Sequence, residues 1–202
     1  TKTGLSGEVA VTVESGTSSY YPGEIIVNEP DQQVNFIEYV FYDDFNGNSL
    51  NTNKWNKING TIEMSDSFLT LSSDGSATNI EPKENLQGNR IIEFKIEDCI
   101  TSQANTSWIN LTSKSNSNKL NLKFNRKNAI LFVNWNGTEL TSINKSSFNY
   151  PQVFKVKIIG NEIELYIDDE KVFSQNNLLL DEFSLKVGNV KSWISYDWVK
   201  IR

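Results

Sequence analysis

The chain has 202 residues, 38% of them hydrophobic, and a formal net charge of −6. That is enough apolar material for a buried core without disulfides or metal, and it excludes a disordered chain. The acidic balance excludes a nucleic-acid binder, whose phosphates need a basic footprint, and the complete lack of histidine removes the commonest general base and zinc ligand.

Gly7–Glu14 reads GEVAVTVE. Val9, Val11 and Val13 point one way; Glu8, Ala10, Thr12 and Glu14 point the other. This period-2 alternation predicts a half-buried strand. The following Ser15–Tyr21, SGTSSYY, begins small, polar and flexible, so the strand has no hairpin partner nearby. An apolar strand without a partner is a liability unless something accepts it. Either it folds back into its own domain, or it adds to a neighbouring copy.

Downstream, short alternating runs are bounded by Gly, Asn, Asp and Ser, which is the pattern of an all-β chain. Strands are expected over Glu24–Asn28, Val34–Tyr42, Gly60–Ser65, Ser67–Ser72 and Arg90–Ile100. Further strands are expected over Ser107–Thr112, Lys119–Phe124, Ala129–Asn134, Glu139–Ile143, Val153–Ile159, Glu162–Asp168 and Glu170–Ser174. Phe183–Val187 and Ser192–Arg202 complete the set. The mostly apolar Val34–Tyr42 reads as a strand buried on both faces. Gly160-Asn161 predicts a tight hairpin turn, Asp168-Asp169 turns the next pair, and Asn176–Leu180 reads as one helical turn. No run reaches membrane-spanning length. The expected fold is an antiparallel β-sandwich of jelly-roll or pilin-like type over 20–202. Residues 1–19 form an extended N-terminal donor strand and tether.

Asp43–Trp55 reads DDFNGNSLNTNKW. It resembles the opening of concanavalin A-like sandwich domains, the laminin-G-like and glucanase-like group, where a D-F-N-G-x-x-L-x-x-x-x-W run recurs. Val156–Phe173 is similar to their late hairpin, and Ser195–Arg202 to their closing strand. The resemblance covers about 160 residues and implies a sandwich; it implies no particular activity.

Chemistry is sparse. Glucanases of that group carry an E-x-D-x-x-E type strand supplying acid and nucleophile. The nearest run is Glu162-Ile163-Glu164 continuing to Asp168, where the spacing departs and the acids fall on the solvent side of an amphipathic strand. Asp43, Asp44 and Asn46 could offer oxygens to calcium, but no full ligand loop is present and a strand-capping turn is the plainer reading. Trp135 and Trp193 lie near turns and are candidates for stacking on a sugar; burial in a core is the ordinary alternative. The single cysteine, Cys99, reads as a buried thiol, or else as a reactive or interchain one.

Asn and Ser make up about one residue in eight and one in nine. Five sequons result, at Asn59, Asn105, Asn110, Asn136 and Asn144, each at or near a predicted turn. The only methionine is Met64, so the chain does not open at a start codon. A processed, secreted precursor accounts for that, and a trimmed chain is the other explanation. A sequon-rich, Asn/Ser-rich sandwich with a leading strand resembles archaeal surface threads, glycosylated filaments joined by donor strands. That resemblance implies an extracellular, non-enzymatic filament subunit whose partners are head-to-tail copies of itself. Leu5, Val9, Val11 and Val13 would be the donor row. No cofactor is expected beyond covalent N-glycans; cell-surface or biofilm sugars are further partners. The alternative is a secreted concanavalin A-like carbohydrate-binding domain.

Overall fold

The structure, a computed structural model, describes residues 13–15, 18–20, 39–65, 67–73, 76–100, 106–125, 130–144, 150–190 and 193–202. The expected strand Glu24–Asn28 and the donor positions Leu5, Val9 and Val11 lie outside the described residues.

In chain order the strands are β1 (Val13–Ser15), β2 (Ser18–Tyr20), β3 (Phe41–Asp43), β4 (Trp55–Asn59), β5 (Thr61–Ser65) and β6 (Phe68–Ser72). Next come β7 (Thr78–Pro82), β8 (Leu86–Gln87), β9 (Arg90–Ile100), β10 (Thr106–Ser113), β11 (Lys119–Asn125) and β12 (Ile130–Trp135). The last are β13 (Thr138–Asn144), β14 (Gln152–Ile159), β15 (Glu162–Ile167), β16 (Glu170–Gln175), β17 (Glu182–Val190) and β18 (Trp193–Ile201). The described residues contain no helix.

Phe41–Ile201 forms one compact unit, and residues 1–40 with Arg202 form another. In the first, two eight-stranded antiparallel sheets face each other. The front sheet runs β13-β12-β11-β10-β17-β7-β4, with β8 also on β17. The back sheet runs β16-β15-β14-β9-β18-β6-β5, with β3 also on β18. Sequence-distant strands pair side by side, as β10 with β17 and β9 with β18, which makes the sandwich jelly-roll-like. The all-β sandwich expectation holds.

Alternation builds the core. On β10, Ile109 and Leu111 face inward, and on β11 Leu120, Leu122 and Phe124 do the same. Phe94, Ile96, Val156 and Ile158 answer from the back sheet. Phe124 of the front sheet meets Phe154 of the back sheet edge to face, with centroids 4.9 Å apart. Asn189 is fully buried, and its Nδ2 donates to the Leu71 carbonyl at 2.6 Å, a polar tie between the sheets.

Four expectations change. Of the leading strand only the end is described, and that end has a partner nearby: Val13 pairs with Tyr20 and Ser15 with Ser18. Within Val34–Tyr42, residues 39 and 40 are not strand; β3 begins at Phe41, and Val40 is exposed. Asn176–Leu180 is not a helical turn. Asn177 takes φ +65°, outside the right-handed helical region, while Leu178 and Leu180 plug into the core. Finally β4, β7 and β8 are additional strands. Their Asn, Lys, Glu and Pro content masks them, because these residues are poor strand formers that neighbours here hold in register.

Candidate functional site

The DDFNG…W run is a structural clip. Asp43 is buried; its Oδ1 accepts the Phe45 N–H at 3.0 Å, and its Oδ2 accepts the Trp55 Nε1–H at 2.6 Å. This turns the chain sharply enough that Phe45 takes φ +53°. The rings of Phe41 and Phe45 then close on Trp55, with centroids 4.9 and 5.9 Å away. The Asp44 carboxylate accepts the Asn46 N–H at 3.3 Å. Both Asp43 oxygens thus accept from protein donors, and Asp43, Asp44 and Asn46 form a capping turn.

Glu162 and Glu164 stand on the outward side of the back sheet, alternating with buried Ile163 and Leu165. Glu164 is tied down on both oxygens: Oε1 meets Lys171 at 2.8 Å, and Oε2 meets Tyr166 Oη at 2.8 Å and Lys157 at 3.2 Å. Lys171, then Tyr166 and Lys157, hold its carboxyl down at about 2. Such a group stays ionised and cannot serve as a general acid near neutrality. Glu162 accepts from Ser174 Oγ at 2.9 Å. Lys155 bridges Glu93 and Asp169, and Lys95 bridges Glu97 and Asp197. This face is a lattice of ion pairs whose charges are spent on one another.

The outward side of the front sheet is different. Trp108, Asn110 and Thr112 alternate with the inward residues of β10. Trp108 is half-buried, and its indole lies over Gly188 of β17: a β-carbon there would stand 2.8 Å from the ring's Cζ2. Only glycine lets the ring settle onto the strand. On its other side Trp108 is the register partner of Lys123, which is in turn opposite Phe132. One row across the sheet therefore reads Phe132, Lys123, Trp108, Gly188, Asn79. Trp108 and Phe132 are two strands apart, about 10 Å.

Beside it runs a row of amides, Asn134, Asn121 and Asn110, ending at Lys186. Asn121 Nδ2 donates to Asn110 Oδ1. Asn121 Oδ1 and Asn134 Nδ2 are buried and have no partner. Lys186 lies 3.8 Å from Glu81. Half-buried aromatic rings beside amides and a cation can stack on a sugar ring and hydrogen-bond its hydroxyls.

Trp108 was not among the sequence candidates, which were chosen for nearness to turns. The alternation of SWINLTS sets Trp108 opposite the core side, but Gly188 beneath it is 80 residues away in sequence and visible only in the fold. Trp135 is on the core side, in register with Leu120 and packed against the core, so it is no platform. Trp193 is half-buried outside the back sheet, with Ser72 and Ile100 as register partners.

The sequons separate by position. Asn136 is exposed in a two-residue turn, Asn136-Gly137, with φ values of +50° and +85°. Asn144 is exposed at the end of β13, and Asn59 at the end of β4, where its Oδ1 accepts from Asn79 Nδ2 at 2.6 Å. Asn110 departs from the expected turn placement. It lies mid-strand, 8% exposed and bonded to Asn121, with no room for a glycan in the folded sheet. Asn105 lies outside the described residues.

No protein-family model matches the chain, and no curated protein does. Solved structures do match. An endo-β-1,3-glucanase from Pyrococcus furiosus aligns over 96% of this chain and 98% of its own, with TM-score 0.71 and 8% identity. A β-1,3-1,4-glucanase (lichenase) from a mouse hindgut metagenome covers 80% and 97%, with TM-score 0.65 and 13% identity. The laminarinase catalytic domain of Thermotoga maritima covers 81% and 96%, with TM-score 0.69 and 8% identity. At such identities the likeness is one of fold. It corrects the expectation of a non-enzymatic chain, because the structures it resembles are glucan-cleaving enzymes. It lends no support to a filament subunit.

Proposed function

We propose that the sandwich recognises carbohydrate on the outward side of the front sheet. The observation that carries this reading is the Trp108 indole seated on Gly188, with Lys123 and Phe132 in the same row and the amides beside it. Its likeness in fold to glucan-acting enzymes supports the same reading. Trp108→Ala is expected to weaken binding of the saccharide at least tenfold, about 1.4 kcal/mol. Titration of the folded variant with laminarin, lichenan and acidic polysaccharides tests this, and unchanged affinity for every bound polymer overturns it.

Glycan cleavage is the second reading, favoured by the enzymes whose fold the chain shares. It needs paired carboxylates about 5–10 Å apart; Glu81 of β7 lies on the outward side of the front sheet, while Glu139 of β13 is five strand spacings away, about 24 Å, and is no partner for it. New reducing ends from laminarin or lichenan, lost in Glu81→Gln, are its expected sign. The filament reading draws no support from the structures the chain resembles, and its donor positions Leu5, Val9 and Val11 lie outside the described residues. Secretion, and glycans on Asn59, Asn136 and Asn144, accord with a chain that meets sugars outside the cell; intact-mass measurement of the native protein tests this.

A further inference from the structure

We infer that the saccharide held on this face is anionic, carrying a carboxylate or sulfate, and that Lys123 is the residue that selects it. The inference rests on the carbohydrate reading above. Lys123 occupies the middle of the aromatic row, with Trp108 opposite on one side and Phe132 opposite on the other. Directly opposed side chains on neighbouring strands stand about 5 Å apart at their β-carbons, so a ring stacked on either aromatic lies within reach of this ammonium.

Lys123 is exposed and has no carboxylate partner among the described residues. This sets it apart. Lys186 on the same face has Glu81, and Lys114 has Glu182. On the back sheet Lys95, Lys155, Lys157 and Lys171 all have acidic partners. Lys119, on the same side of β11 as Lys123, has no such partner either. The outward side of β11 thus reads Lys119, Asn121, Lys123, Asn125, alternating cation with amide. A neutral glucan would leave both charges unanswered. A saccharide with anionic substituents answers them, because an oxyanion adds charge–charge attraction to the charge-assisted hydrogen bond that a hydroxyl would also accept from an ammonium.

The chain as a whole is acidic, so this attraction is local. At physiological ionic strength charges beyond about 8 Å are screened, which mutes the distant carboxylates and leaves the contact at Lys123. Binding therefore weakens as salt rises.

The test is titration of the full chain with polygalacturonate, κ-carrageenan and laminarin at low and physiological salt. The acidic polymers are expected to bind more tightly than laminarin. Lys123→Gln should weaken their binding about fivefold and laminarin binding clearly less, and Lys123→Arg should retain the preference for the acidic polymers. Preference between the two acidic polymers identifies carboxylate or sulfate as the recognised group. Laminarin binding as well as the acidic polymers, with Lys123→Gln neutral for all, overturns the inference and leaves the carbohydrate reading standing. Acidic-polymer binding that Lys123→Gln leaves unchanged overturns it too. Binding of none of the three overturns both.

Discussion

Phe45 is an apolar side chain at φ +53° that is also 2% exposed, two conditions a folding chain rarely meets at one residue. The strain is tolerated because the Asp43 carboxylate fixes the turn from both directions, through the Phe45 amide and the Trp55 indole. Removing either end should be costly. Trp55→Ala empties one of the largest buried volumes and is expected to destabilise by about 3–5 kcal/mol. Asp43→Ala leaves the indole N–H buried without an acceptor and should cost about 1–3 kcal/mol. Urea denaturation measures both, and a loss below half a kcal/mol in Asp43→Ala would remove the clip from the account. At the front sheet the decisive residue is one that is missing a side chain. Gly188 is constrained by contact, with the Thr78 carbonyl 2.6 Å and the Trp108 ring 2.8 Å from where a β-carbon would stand.

Strands β14, β15 and β16 show how an element is assembled from turn chemistry and cross-strand charge. Gly160 turns β14 into β15 with φ +57°, and Asp168 and Asp169, both at positive φ, turn β15 into β16. On their outward side Glu164 binds Lys157 on one neighbouring strand and Lys171 on the other. Its carboxyl titrates at about 2 in the fold against an ordinary 4.5. A depressed carboxyl stabilises the fold above its unfolded value and ceases to do so as pH falls through the folded one. The contribution is thus complete above pH 4.5 and fades toward pH 2. Glu164→Gln should lower stability at pH 7 by about 1 kcal/mol, given the partly exposed lysine partners, and the gap from the unaltered chain should close toward pH 2. Melting temperatures of both proteins across that range check it; a gap that persists at pH 2 contradicts the ion-pair account.

At the scale of the molecule, the described core residues all fall between Phe41 and Ile201. That unit holds both sheets and the whole candidate face. A chain of residues 41–202 is expected to unfold in one cooperative transition and to bind the saccharide with the affinity of the full protein. Calorimetry and titration test this together. Loss of binding in a folded 41–202 chain would place part of the site before residue 41.

Much of this could be read in advance, for local reasons. β9 was legible to the residue, and β11 and β15 to within one, because alternation on a half-buried strand is written directly into sequence. The turns at Gly160 and Asp168 were legible because few residues tolerate their backbone angles. The acids Glu162 and Glu164 were rightly placed on an outward side by the same periodicity. Pairing between distant strands was not legible. It depends on which rows fit face to face, and that carries no local signature. Only the tertiary structure brought Gly188 beneath Trp108, Lys123 between two aromatic rings, and Asn110 into the interior of a sheet. The sequence by itself determined that this chain is a β-sandwich with alternating strands. The folded molecule alone decided which face is left with unspent chemistry, because a side chain's partners are set by the neighbouring strands, which are remote in the chain.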